Sequence, residues 1–277
     1  MEAVLPQVRS NDALIDYDDE GLGDPTLLLM HGWCSTRAAF DPVRDLLSAR
    51  RRVLAPDWRG HGASGAPAGD YGDEDLARDA LAVIADSGAQ AVVPVALAHA
   101  GWIGIELRRR LGPAVPGLVV VDWVVTEAPA ALLTTLEDVR SDADRDDAVA
   151  GLLQQWQAGV PDPALAALLA DMGAVPDAMW DRAAREIESS YARFGSPLRA
   201  LAGLEHPPPV LHLVPTADDA FAFERQRAYE AEHHWYHAAE LPARSHFPLF
   251  EAPRQASDEI ERFVVRVGGR QRYRRAA

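Results

Sequence analysis

The chain reads as an α/β protein, a mostly parallel sheet packed between helices with an all-helical insertion between two of its strands. Three observations predict this. Short, continuous apolar runs recur along the chain, each ending at Gly, His, Asp or Trp. Runs of this length without polar alternation suit strands covered on both faces, as parallel strands are. Stretches of helical period separate them, and one long segment has helical period and no strand-like run.

The elements follow in order. Thr26-Leu27-Leu28-Leu29-Met30 is the first buried strand and runs into His31-Gly32-Trp33. Residues 52–56 form the next, running into Asp57-Trp58-Arg59-Gly60-His61-Gly62. A helix over 73–86 places Leu76, Ala80, Leu81 and Ile84 on one face and acids in its first turn, where the helix dipole favours them. Residues 91–96 form a strand that enters Leu97-Ala98-His99-Ala100-Gly101, and a helix over 101–111 stops at Gly112-Pro113. Leu118-Val119-Val120-Val121 runs into Asp122-Trp123. Residues 127–199 are helical in period, with Trp156, Met172, Met179, Trp180 and Tyr191 as their large apolar side chains. Such an insert reads as a lid on a core made of 1–126 and 200–277, and Trp156 is the aromatic expected to face a pocket. Strands at 210–214 and 235–241 complete the sheet and lead to His246. Folds of this class bind ligands at the carboxyl ends of their strands, where the Trp, His and Asp residues gather here.

Composition narrows the function. Of 277 residues, 48% are apolar and 25% charged, which is enough for a real core. No run of 18 apolar residues occurs and the first residues lack a signal-peptide layout, so a soluble, cytoplasmic protein away from membranes is expected. A single cysteine, Cys34, excludes an internal disulfide and a cysteine-built zinc site. The chain contains no lysine, which excludes Schiff-base chemistry and a P-loop. A net charge of -15 argues against nucleic acid as a partner. The Arg-rich stretch 266–275 reads as a solvated or frayed end.

Four motifs in order point to an α/β-hydrolase fold. His31-Gly32-Trp33 stands where such folds place an oxyanion-hole amide, and the loop 57–64 matches the structural loop after the following strand. Ala96-Leu97-Ala98-His99-Ala100-Gly101 occupies the nucleophile elbow, and Ser245-His246-Phe247-Pro248 the slot of the catalytic histidine. The elbow lacks a nucleophile, since its central residue is Ala98. What remains is a histidine base, an acid to orient it and an oxyanion pocket, a set able to take a proton and hold the resulting anion. Asp122 and the pair Asp218/Asp219 compete as the orienting acid.

These residues resemble a narrower group, the cofactor-independent 3-hydroxy-4-oxoquinoline and 3-hydroxy-4-oxoquinaldine 2,4-dioxygenases. The likeness rests on His31-Gly32-Trp33-Cys34, Asp57-Trp58-Arg59-Gly60-His61-Gly62, His99-Ala100-Gly101-Trp102, Asp122-Trp123, Gly195-Ser196-Pro197 and Ser245-His246-Phe247-Pro248, and spans roughly residues 27–265. It implies a His246/Asp122 dyad that deprotonates an acidic hydroxylated heteroaromatic or enol substrate, whose anion then reacts directly with O2. It also implies that the Trp33 and His99 amides hold the ring-carbonyl oxygen, that the His99 side chain contacts substrate, and that neither metal nor other cofactor takes part. The ring opens in that reaction with loss of carbon monoxide. Three positions depart from the family pattern: its elbow serine is Ala98 here, and two pocket histidines are Leu97 and Ser35.

Two other readings stand beside this one. One is a hydrolase or lyase acting on a small aromatic ester, amide or ketone, with the elbow serine replaced at position 98. The other is a ligand-binding member of the fold without catalysis, which retention of both His246 and Asp122 disfavours. His233-His234-Trp235-Tyr236-His237 lacks an acid or fourth ligand and is not expected to bind metal. His61 is expected to be structural, Trp58 and Trp102 to be core, and Cys34 to be a buried thiol.

Overall fold

The computed structural model describes residues 6–216 and 220–276, with the side chains of 220–223, 225 and 270–276 left aside. The elements in chain order are β1 (Gln7–Ser10), β2 (Ala13–Glu20), β3 (Thr26–Met30), α1 (Asp41–Ser48), β4 (Val53–Pro56), α2 (Asp73–Ser87), β5 (Val92–Leu97), α3 (Ala100–Leu111) and β6 (Leu118–Val121). There follow α4 (Ala130–Arg140), α5 (Arg145–Gln157), α6 (Pro163–Gly173), α7 (Asp177–Phe194), α8 (Pro197–Ala202), β7 (Val210–Pro215), α9 (Ala220–Glu232), β8 (Tyr236–Leu241), α10 (Pro248–Glu251) and α11 (Pro253–Ala276).

The described strands form an eight-stranded sheet in the order β1-β2-β4-β3-β5-β6-β7-β8. β1 and β2 pair antiparallel, β2 joins β4 antiparallel, and every pairing from β4 to β8 is parallel. Strands β3, β4, β5, β6 and β7 are buried at every residue, which is why their sequences are unbroken apolar runs. The registers Met30↔Ala96 and Leu97↔Val121 bring the exits of β3, β5 and β6 side by side. The turns that carry His31, Ala98 and Asp122 are therefore neighbours by construction.

The antiparallel start was not legible as strand. β2 reads Ala-Leu-Ile-Asp-Tyr-Asp-Asp-Glu, and its buried acids disguise the apolar pattern. They are held by arginines: Arg37 reaches Asp16 at 2.6 Å and Asp18 at 3.6 Å, and Arg44 reaches Asp18 at 3.1 Å. A buried carboxylate survives only when paired in this way.

Between β6 and β7 the described chain forms helices alone, and α4 to α7 fall within 127–199. The stretch 266–275, expected as a solvated or frayed end, is not frayed: its backbone continues α11, while Arg266 is exposed and lies over the Phe263 ring at 5.5 Å. Trp58 and Trp102 are core residues, 1% and 5% exposed. Among the described residues no helix is long and apolar enough to cross a membrane.

Candidate active site

The elbow is built although its nucleophile is missing. β5 ends at Leu97, α3 begins at Ala100, and Ala98 between them takes a left-handed backbone with φ 48°. Alanine has no intrinsic liking for this region, so the surrounding bonds impose it: the Ala98 amide donates to Val121 O and the Gly101 amide to Ala98 O. Gly101 has no room for a side chain, since a Cβ there would lie 2.2 Å from the Trp123 ring. His99 is the N-cap of α3, where the helix dipole adds positive potential near its amide. Among the described residues no hydrogen bond engages the backbone amides of His99 or Trp33.

The loop after β3 faces this turn, and a Cβ on Gly32 would stand 3.6 Å from Leu97 O. Cys34, also left-handed at φ 61°, is held by its amide donating to His61 Nε2 at 3.2 Å. His61 Nδ1 lies 3.0 Å from Arg59 O, so this histidine is structural, as expected, and braces the loop that carries Trp33. Burial drives its pKa down to about 3, which keeps it neutral. His31 is likewise driven down to about 4 by burial, while Trp58 donates to it and to its carbonyl. The Cys34 thiol is buried and its pKa is pushed up by desolvation, which leaves it an inert core thiol.

A His–Asp pair joins the end of β6 to the loop between β8 and α10. His246 Nδ1 lies 2.6 Å from Asp122 Oδ2, and both side chains stay partly accessible, at 21% and 26%. With Nδ1–H donated to the carboxylate, Nε2 carries the lone pair and is the basic atom. Asp122 adopts φ 43° directly after β6, with its amide on Leu213 O. The competing acids Asp218 and Asp219 lie outside the described residues.

Around the His246–Asp122 pair the helices between β6 and β7 supply aromatic rings. Trp156 stacks on His246 with centroids 5.0 Å apart, and its carbonyl accepts the His246 amide at 2.9 Å. Trp180 stacks on Trp156 in turn. His99 sits edge-on to Tyr191, and burial followed by the His246 charge lowers its pKa to about 3. His99 is thus a neutral imidazole within electrostatic reach of His246. Its Nδ1 and the Ser35 hydroxyl are buried and without partners among the described residues. The structure thereby brings His246, Asp122, Trp156 and His99 together and sets Trp33, Ser35 and Ala98 on the adjoining turns.

Several supporting residues escaped the sequence reading. His212, which carried no motif, lies on β7 beneath the dyad. It accepts the Trp123 amide at 3.4 Å, meets Tyr236 OH at 2.8 Å, and is driven down to about 4 by burial. Glu251 takes the Arg244 amide and the Ser245 amide and hydroxyl on one oxygen, clasping the loop of the base. Its position five residues after His246, where a short helix follows Pro248, was the available signal. Elsewhere His233 Nδ1 meets Tyr229 O and His237 Nδ1 meets Glu230. No group of three metal-ligating side chains occurs among the described residues.

Comparison with known proteins identifies the family of the chain. Residues 27–259 match the family model described as "Alpha/beta hydrolase family". The chain is 33% identical to a 2-heptyl-3-hydroxy-4-quinolone dioxygenase of Rhodococcus erythropolis, covering 92% of this chain and 96% of that protein. It is 32% identical to the 1H-3-hydroxy-4-oxoquinoline 2,4-dioxygenase of Pseudomonas putida, covering 94% and 99%. A solved 1H-3-hydroxy-4-oxoquinoline 2,4-dioxygenase superposes with a TM-score of 0.88 at 29% identity, over 94% of this chain and all of that one. A solved enzyme that cleaves the ring of the Pseudomonas quinolone signal, held with its product, also gives 0.88, at 28% identity and with the same coverage.

Proposed function

We propose, from the premise that this chain belongs to the alpha/beta hydrolase family and within it to the 3-hydroxy-4-quinolone 2,4-dioxygenases, that its His246/Asp122 dyad deprotonates a 3-hydroxy-4-quinolone whose anion reacts directly with O2. The observation that carries this reading is a base and its acid 2.6 Å apart beside an elbow whose tip is a methyl group. Such a site cannot form an acyl-enzyme, yet it keeps everything needed to make and hold an oxyanion.

His246 Nε2 takes the hydroxyl proton, and Asp122 steadies the imidazolium through Nδ1. The Trp33 and His99 amides receive the ring-carbonyl oxygen, and the His99 side chain, neutral by burial, contacts the same ring. The anion supplies the electrons that reduce dioxygen, so the step draws on no metal or other cofactor. A peroxide forms at the carbon on one side of the hydroxyl-bearing carbon and closes on the carbonyl carbon at the other. Ring opening leaves one oxygen atom on each of these carbons and expels the carbon between them as carbon monoxide.

Residues 127–199 act as the cap of this site, with Trp156 as its contact to the base. Ser35, Leu97 and Ala98 leave the pocket less polar than the family pattern, which suits quinolones carrying an alkyl group, the class named for the Rhodococcus relative. The test is oxygen uptake by chelator-treated protein on a panel of 3-hydroxy-4-quinolones, with carbon monoxide trapped on ferrous haemoglobin. One CO for each O2, unaffected by chelator, is the expected result. Ester turnover with no oxygen uptake would overturn it.

A further inference from the structure

One face of α7 lies against the segment 70–73 of the core. Met179, Arg182, Glu186 and Ser190 are spaced three, four and four apart, which places them on one side of a helix. Tyr71 OH donates to Met179 Sδ at 3.4 Å, and the Arg182 guanidinium lies 4.1 Å from the Tyr71 ring centre. Glu186 accepts the Asp73 amide at 3.0 Å, so a cap residue satisfies the start of α2. Gly72 has no space for a side chain here, as a Cβ would fall 2.3 Å from the Glu186 carboxylate. Ser190 donates to Asp73 Oδ2 at 3.0 Å, and on the other oxygen Asp73 accepts the Trp33 indole N–H at 3.2 Å.

Trp33 is therefore gripped at its far end. Its ring stacks on Tyr71 with centroids 6.0 Å apart, tilts against His61, and is tied by its nitrogen to a carboxylate that also holds the cap. The neighbouring cap residue, Tyr191, donates to Val124 O, two residues beyond Asp122. Consecutive residues of α7 thus bind the two halves of the site, Ser190 by way of Asp73 and Tyr191 directly.

We propose that Asp73 is a positioning residue: its carboxylate clamps the Trp33 indole to Ser190 of α7 and so fixes the direction of the Trp33 backbone amide. The proposal rests on the reading above, in which that amide receives the substrate oxygen. An amide that swings away from the oxyanion loses most of its worth, because such donors act by being aimed in advance.

The electrostatics of the clamp give it a signature. Desolvation first, then the Glu186 charge, push the Asp73 carboxyl up to about 6, while Ser190 and Trp33 oppose the rise. Other charged groups pack nearby: Asp70 pairs with Arg182 and Arg185 at 2.9 Å each, and Arg59 lies 3.8 Å from Asp75. Arg185 pairs with Glu186 at 3.2 Å, Arg182 lies over Tyr71, and Asp75 on the same helix binds Arg78 and the Gly72 amide. His61 on the loop stays neutral.

The experiment combines an NMR titration with kinetics. In protein labelled with 15N-tryptophan, the Trp33 indole resonance is assigned by its loss in Trp33→Phe. It is expected to shift with a midpoint near 6 and to be flat with pH in Asp73→Asn. On a 3-hydroxy-4-quinolone, Asp73→Ala is expected to lower kcat about 10- to 100-fold, with anaerobic substrate binding changed less than about threefold. Asp73→Asn keeps an acceptor for the indole and should restore most of the rate. Ser190→Ala, which frees one side of the clamp, should fall between, and these two variants carry the test if Asp73→Ala does not fold. A Trp33 indole resonance left unmoved by Asp73→Ala would overturn the proposal, since the bond at 3.2 Å would then be absent. So would equal losses in Asp73→Ala and Asp73→Asn that track a fall in Tm. A wild-type chain inactive on every quinolone, with the indole still titrating, would defeat the assigned reaction and uphold the clamp.

Discussion

The Trp156 ring lies on the face of His246, with centroids 5.0 Å and planes 22° apart. When His246 takes a proton, the charge forms against an aromatic face, which attracts it by about 0.5–2 kcal/mol. Trp156→Leu keeps the backbone carbonyl that holds the His246 amide and removes this attraction. It should lower kcat about 3- to 30-fold, and Trp156→Phe less. Stopped-flow absorbance of substrate ionisation under nitrogen would check it. Unchanged ionisation in the Leu variant would separate Trp156 from the base.

Removing the base itself should be far more severe. His246→Ala is expected to cost about 10²- to 10⁴-fold in kcat with circular dichroism unchanged. Asp122→Ala should cost much more than Asp219→Ala, because Asp122 makes the 2.6 Å contact. The reverse ranking would move the orienting acid to the other position.

Ala98→Ser restores a hydroxyl at the elbow without touching the dyad. Oxygenation should change by less than about tenfold, or 1.4 kcal/mol, while hydrolysis of an activated ester rises above the wild-type level. A collapse of oxygen uptake would show that the methyl group is needed by the reaction. Ala98→Val should unfold the chain more readily, since a β-branched residue at φ 48° is strained by about 1–3 kcal/mol.

Acid stability should be governed by buried histidines. His31 and His212 are lowered by burial to about 4, and His61 and His99 to about 3. Below the ordinary histidine value of 6.5 the unfolded chain binds these protons and the folded chain does not. Their stabilising effect is full above that value and fades as the pH falls toward the folded pKa, by about 1.4 kcal/mol per pH unit for each group. Asp73 works the other way: its carboxyl, raised to about 6, takes up a proton in the folded chain before the unfolded chain does, so this group favours folding as pH falls. Urea melts from about pH 8 down to about pH 5 should show stability dropping from just above pH 6. A flat profile to about pH 5 would refute neutral burial.

Glu251→Ala should loosen the loop of the base, because one carboxylate oxygen holds two amides and the Ser245 hydroxyl. Those donors would be left unpaired at about 1–3 kcal/mol for the buried ones, so Tm and kcat should fall together. Glu251→Gln, which keeps the acceptor, should recover both. Equal effects of Ala and Gln would show that charge, not the contact, matters.

The parallel half of the sheet was legible because burial on both faces writes itself as apolar runs, and the helices over 73–87 and 100–111 followed from their period and stop signals. His246 stood out by its local motif, whereas Asp122 and Asp218/Asp219 were equally placed after strands, and only the family resemblance favoured Asp122. Asp16 and Asp18 hid β2, since their arginine partners come from beyond the next strand. Asp73, Glu186 and Ser190 were invisible for a related reason. Ser190 lies 117 residues from Asp73, and an acid in the first turn of a helix reads only as a dipole partner until the cap is folded over it.

The left-handed backbones of Cys34, Ala98 and Asp122 gather at the exits of three adjacent strands. Aspartate tolerates that region better than most residues, whereas cysteine and alanine do not. At about 1–3 kcal/mol each, such strains are a sizeable share of the 5–15 kcal/mol that keeps a domain folded. Glycine would relax them at no steric cost. A library selected for heat resistance alone would therefore drift toward glycine at positions 34 and 98, loosening the amides that the strain holds in aim. Screening for thermostability in this enzyme should score turnover in the same pass.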